Sequence, residues 1–160
     1  MHAPTGSGSA PSTRNETELN LSDGTVLLVD DNTQNLELIQ AYMESMPCRI
    51  LVAHDGIEAM ARIEQDHPDV VLLDVMMPRM SGFEVCQRVK ANPATRETTI
   101  IMVTALHEIG DMERAVECGC DDFVSKPVNK VELLTRVRGL LGLRLLKKRM
   151  AAFIAENDRG

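Results

Sequence analysis

The sequence predicts an α/β fold: a doubly wound, five-stranded parallel sheet with helices on both faces. Three observations carry that prediction. Short apolar runs alternate five times with stretches of helical period. The runs are nearly continuous in hydrophobicity, the pattern of strands covered on both sides. Nothing along the chain repeats, and strand–helix–strand units of this kind close as right-handed crossovers into a parallel sheet.

The elements follow in order. "TVLLVD" (25–30) is the first strand, and "TQNLELIQAYMESM" the first helix, with Leu36, Ile39, Met43 and Met46 three or four residues apart. "RILVA" (49–53) is the second strand, and its arginine suits an edge. "GIEAMARIEQ" is the second helix, stopped before Pro68. "DVVLLD" (69–74) is the third strand, followed by the helix "GFEVCQRVKAN", which ends at Asn92-Pro93. "TIIMVTA" (99–105) is the fourth strand. In "EIGDMERAVECG", Ile109, Met112 and Val116 form one helical face, and Gly119 is the C-terminal stop. "DDFVS" is a short fifth strand. "NKVELLTRVRGLL" is the fifth helix, with Leu134, Val137 and Leu141 in phase.

These elements fill residues 24–142, one compact domain. Residues 1–23, rich in Ser, Thr, Gly, Pro and Asn, bury too little to offset their ordering entropy and are expected to form a disordered arm. Residues 143–160 form a helical extension or linker. There Leu143, Leu146, Met150 and Phe153 recur in a heptad-like seam, out of phase with the domain-facing stripe. That seam is expected to meet a second copy, giving a homodimer, or an output domain. The basic stretch "RLLKKRM" (144–150) reads as a solvated helix face.

Composition narrows the function. The chain of 160 residues has 44% hydrophobic and 26% charged residues, as soluble domains do. Aromatics are 2% with no Trp, and the net charge is −7, so neither base stacking nor phosphate-backbone binding is expected of the domain as a whole. Cys48, Cys86, Cys118 and Cys120 form no C-x-x-C pair, which argues against zinc and for thiols in a reducing cytoplasm. His2, His54, His67 and His107 are too scattered to share a site. No apolar run approaches the roughly 18 residues of a membrane span, and no secretory signal is visible.

In a sheet of this kind ligands bind beyond the carboxyl ends of the strands. Four of the five strands end on a reactive group: Asp30-Asp31, Asp74, Thr104, and Lys126 before Pro127. If the strand order is 2-1-3-4-5, these are adjacent strands about 4.8 Å apart. Three carboxylates so close repel one another unless a cation joins them. An all-oxygen donor set favours a hard ion such as Mg²⁺. A carboxylate is also a nucleophile towards phosphoryl groups, and Lys and Thr are suited to the oxygens of the group transferred. Asn32 or Thr33 suffices to cap the first helix, so the acidic pair before it is not needed there.

"VLLVDDN", "VVLLDVMMPRMSG", "IIMVTA" and "DDFVSKP", in this order and at these spacings, resemble the receiver domain of two-component response regulators. The resemblance implies a flavodoxin-like fold with strand order 2-1-3-4-5. It implies Asp74 as the phosphoacceptor, charged by the phosphohistidine of a sensor histidine kinase or by a phosphotransfer protein. Asp31, Asp74 and the backbone carbonyl of Met76 would bind Mg²⁺ directly, and Asp30 through a water. Lys126 would pair with the phosphate, Thr104 would move to bond it, and Phe123, equally a core residue, would be the switching aromatic. Lys126-Pro127 would be a cis peptide.

Such a phosphoprotein works in the cytoplasm in phosphorelay signal transduction. It assists its own phosphorylation and dephosphorylation, turns over no external substrate, and switches a surface for a downstream effector protein or domain. A receiver fragment of a longer regulator fits the same residues. Haloacid-dehalogenase-type phosphatases share the strand-end nucleophile but need a second Asp two residues later, where this chain has Met76.

Overall fold

In a computed structural model, described over residues 20–105 and 109–158 apart from the side chains of 109–111, five strands and five α-helices alternate. They are β1 (Thr25–Val29), α1 (Thr33–Tyr42), β2 (Arg49–Ala53), α2 (Gly56–Asp66), β3 (Val70–Asp74), α3 (Gly82–Ala91), β4 (Thr99–Thr104), α4 (Ile109–Glu117), β5 (Asp122–Ser125) and α5 (Lys130–Asp158). All strand pairs are parallel and the order is β2-β1-β3-β4-β5. The fold is therefore the doubly wound sheet expected, with β2 at an edge.

Side-chain alternation along each strand feeds two apolar layers. Leu27, Val29, Val71, Leu73, Ile100 and Met102 meet α2, α3 and α4 on one face. Val26, Leu28, Val70, Leu72, Ile101 and Val103 meet α1 and α5 on the other. The expected α1 stripe is buried in full, although the α-helix stops at Tyr42 and a 3-10 turn, Met43–Ser45, carries the last part. Gly119 ends α4 with φ +84, a conformation open to glycine.

Helix α4 turns differently from expectation, and α5 differs at one position of its stripe. On α4 the face that reaches the core is Ala115 and Cys118, while Met112 and Val116 are exposed. The side chain of Ile109, placed in the same stripe, lies outside the described residues. On α5 the buried stripe is Leu133, Val137, Leu141 and Leu145, with Leu134 only half-buried.

The packed part of α5 thus continues past residue 142. Lys148 anchors it further: its Nζ donates to Asp69 Oδ1 at 2.8 Å, while Asp69 Oδ2 accepts the Thr25 N–H at 2.8 Å. Beyond this point α5 carries exposed Met150, Phe153 and Ile154, and Leu143 and Leu146 are exposed on its flank. At the other end of the chain, residues 1–19 lie outside the described residues. Leu21–Asp23, counted in the expected arm, forms a 3-10 turn with Leu21 packed against the α1–α5 layer. No described helix is long and apolar enough to cross a membrane.

Candidate functional site

The polar groups at the strand ends gather because the register brings them level. Val29 pairs with Leu73, so Asp30, the next residue after β1, stands beside Asp74, the last of β3. Asp74 pairs with Val103, which puts Thr104 one step higher on β4. Thr104 pairs with Ser125, and Lys126 follows. Backbone bonds continue the ladder past these ends: Val75 N–H to the Val103 carbonyl at 3.3 Å, and Lys126 N–H to the Thr104 carbonyl at 3.0 Å.

One carboxylate oxygen from each of Asp30, Asp31 and Asp74 lies within 4.8 Å of the others. Asp30 and Asp74 are buried and Asp31 is exposed. Asp30 Oδ1 accepts the Asn32 N–H at 2.9 Å, which bends the chain from β1 into α1. Asn32 caps α1 by accepting the Asn35 N–H at 3.1 Å. The acidic pair therefore has no capping duty, and the Asp31 side chain makes no hydrogen bond with any described residue.

Asp74 is 3% exposed, and burial pushes its carboxyl above the ordinary Asp value. The Lys126 hydrogen bond opposes that shift, and the Asp30 charge adds to it. Lys126 Nζ donates to Asp74 Oδ1 at 2.9 Å, and the Lys126-Pro127 peptide is cis. The loop after β3 is held tightly. A side chain at Gly82 would collide with the Asp74 carbonyl oxygen, the Gly82 N–H donates to the Val75 carbonyl at 2.9 Å, and Ser81 caps α3. Arg79 adopts φ +70, the left-handed region that residues with a side chain seldom enter. The Met76 side chain, between Asp74 and that turn, is exposed.

Phe123 on β5 is half-buried, packs on the α2–α3–α4 layer, and shares a surface cavity with Thr104, Met112 and Arg136. A second cavity of 210 Å³ opens beside the acids, between Leu38 and Tyr42 of α1 and Lys126-Pro127. The described histidines stay apart from the site: His54 pairs with Glu58 and His67 ends α2, while His2 and His107 lie outside the described residues. Two polar hubs were not legible in the sequence, Asp69 and Lys90. Lys90 Nζ donates to the Thr98 carbonyl, Asp121 Oδ2 and the Arg96 carbonyl. Only the folded chain brings these residues together.

Residues 26–138 match the family model described as the response regulator receiver domain. Over 121 residues the chain is 40% identical to the response regulator PleD of Caulobacter vibrioides, a match covering 76% of this chain and 27% of that protein. Over 118 residues it is 31% identical to the protein PilG of Pseudomonas aeruginosa, covering 73% of this chain and 87% of that one. A solved signal receiver domain of a Syntrophus aciditrophicus signal transduction histidine kinase superposes with a TM-score of 0.70 at 33% identity, covering 74% of this chain and 89% of that one. The chain spans about a quarter of the length of the first of these relatives.

Proposed function

The chain belongs to the response regulator receiver domain family, and from that premise we propose that Asp74 accepts a phosphoryl group from a phosphohistidine and thereby switches a partner-binding surface. The family is a signalling module of two-component systems and not a classical enzyme, and response regulators work with histidine kinases and effector domains. One observation carries the reading: three carboxylates within 4.8 Å, with Lys126 on buried Asp74, at the carboxyl edge of a parallel sheet.

The donor set suits Mg²⁺, because it is all oxygen and carries a surplus of negative charge. Asp31, Asp74 and the Met76 carbonyl would hold the ion directly and Asp30 through a water. When bound, it supplies positive charge to the oxygens of the transferring group. Asp74 carries out the transfer. A carboxylate oxygen forms the new P–O bond as the P–N bond to the donor imidazole breaks, and the electron pair stays on the imidazole nitrogen. Burial leaves Asp74 poorly hydrated, so little water has to be removed before it attacks. Lys126 moves from Asp74 Oδ1 to a phosphoryl oxygen, and the Thr104 hydroxyl takes another.

The donor histidine, on a sensor kinase or a phosphotransfer protein, would approach over the cavity beside α1, where Leu38 is exposed. Thr104 and Phe123 would carry the new charge to the α4–β5–α5 surface, which a downstream effector protein or a further domain of a longer regulator reads. The reading puts the reaction in the cytoplasm. Incubation with a small phosphodonor and Mg²⁺ tests this. A single acid-stable, base-labile phosphate is expected, lost with EDTA and in Asp74→Asn. An Asp74→Asn protein that labels as well as wild type overturns the assignment.

A further inference from the structure

We propose that the opposite end of the sheet carries a second site, which binds a phosphate-class oxyanion between α5 and the α3–β4 loop. A cavity of 90 Å³ opens there, beside Thr99 at the start of β4. Lys90, Arg96, Arg144 and Lys147 line it together with Glu97 and Asp121, a surplus of two positive charges in a chain whose net charge is −7.

The cations differ in what they have left to offer. Lys90 uses its three N–H groups on two carbonyls and Asp121, so it forms a saturated floor with its charge balanced. Arg96 lies 4.0 Å from Glu97, a loose exposed pair. Arg144 and Lys147, one turn of α5 apart on adjoining faces, form no ion pair with any described residue. Arg144 Nε is moreover the only buried side-chain nitrogen or oxygen without a hydrogen-bond partner among the described residues. Such orphans are rare, and a bound water or ion is one way to satisfy them.

A water satisfies the Nε–H but leaves the charge surplus in place. A tetrahedral oxyanion answers both, because it accepts from the guanidinium fork and from the Lys147 ammonium together. The cavity is about three times the 30 Å³ share of one water in the liquid. That is room for a phosphate group. The ion would bridge α5 beyond Leu141 to the α3–β4 loop and so fix the direction in which the helix leaves the domain. The site is independent of the chemistry at Asp74.

Amide NMR titration of the full chain tests it, in EDTA so that no cation recruits phosphate to Asp74, and at constant ionic strength. Inorganic phosphate should give saturable shifts at residues 96–99, 121 and 143–147. Binding should weaken about tenfold in Arg144→Gln, equivalent to about 1.4 kcal/mol, and also fall in Lys147→Gln, which keeps the test open if the first variant folds poorly. Glycerol phosphate binding as tightly as inorganic phosphate identifies a phosphate group carried on a small molecule, and tighter inorganic binding identifies the free ion. The proposal is overturned if shifts do not saturate, if they centre on Asp30, Asp74 and Lys126, if both variants bind as wild type does, or if acetate binds equally well.

Discussion

Lys126 Nζ lies 2.9 Å from Asp74 Oδ1, and this contact joins the end of β5 to the end of β3 across the intervening tip of β4. The ammonium holds the Asp74 carboxylate in place, and in the proposed transfer it would move from there to a phosphoryl oxygen. Replacing it with Lys126→Gln should lower the initial rate of labelling by a small phosphodonor about 10²-fold, the usual cost of one such donor. A rate within twofold of wild type removes Lys126 from the transfer step.

Asp74 should cost the unphosphorylated fold stability in metal-free buffer. Its folded-state pKa is raised above 3.8, first by burial, so the folded form binds the proton more readily than the unfolded form. Stability therefore falls as pH rises from 3.8 through the raised folded value, and the cost is fully present above that value. Asp74→Asn should melt a few degrees higher at pH 7, the size of shift that ~1 kcal/mol produces in a domain of this length. The gap between mutant and wild type should close as pH is lowered through that window. Adding Mg²⁺ should raise the wild-type melting temperature more than that of the mutant. Paired thermal scans with and without Mg²⁺ check both points, and a mutant less stable at pH 7 refutes the first.

Thr104→Ala should separate phosphorylation from response. The residue is buried at the end of β4 and borders the same surface cavity as Phe123. Its backbone carbonyl accepts the Lys126 N–H, which the substitution keeps, and its hydroxyl bonds neither Lys126 nor Asp74 among the described residues. Labelling should stay within a few-fold of wild type, while NMR shifts on α4 and β5 caused by a phosphate analogue such as beryllofluoride should shrink. Unchanged shifts mean that the hydroxyl does not couple the two.

The Lys148–Asp69 contact should hold the C-terminal half of α5 on the domain. Asp69 is buried and serves the Thr25 N–H with its other oxygen, so Asp69→Ala strands two partners and should destabilise by about 2–3 kcal/mol in urea unfolding. Lys148→Met keeps an apolar stem of similar length and should cost about 1 kcal/mol. Leu145→Ala, at the rim of the core, should cost about 2 kcal/mol. Hydrogen exchange beyond residue 145 should quicken in all three, and a rate unchanged in Lys148→Met argues that the ion pair anchors nothing.

The exposed seam of Leu143, Leu146, Met150 and Phe153 should associate when its concentration is raised. Sedimentation of the full chain against a chain ending at Arg149 checks this, because that end keeps the Lys148 anchor and removes only the outer seam. A dimer in the first sample and a monomer in the second is expected. Monomers in both remove self-association.

Much of the site was legible because the topology carries it. Once the apolar runs were read as parallel strands, their carboxyl ends had to share one edge, and Asp30, Asp31, Asp74, Thr104 and Lys126 sit at those ends. The bounds of β2, Arg49–Ala53, and the stop at Gly119 were likewise local facts, set by residue type and backbone freedom.

What the tertiary structure decided was orientation and long-range pairing. The buried stripe of α5 keeps Val137 and Leu141 but takes in Leu133 and not Leu134, a choice between neighbours about 100° apart that two adjacent leucines cannot signal. On α4 hydropathy favoured Met112 and Val116, yet the smaller Ala115 and Cys118 face the sheet. Lys148 and Asp69 are 79 residues apart, and Lys90 and Asp121 are 31 apart. Hydrophobicity and charge belong to single residues and can be read along the chain. Which face packs and which charges meet depend on the shape of the neighbouring surface, and that surface exists only after folding.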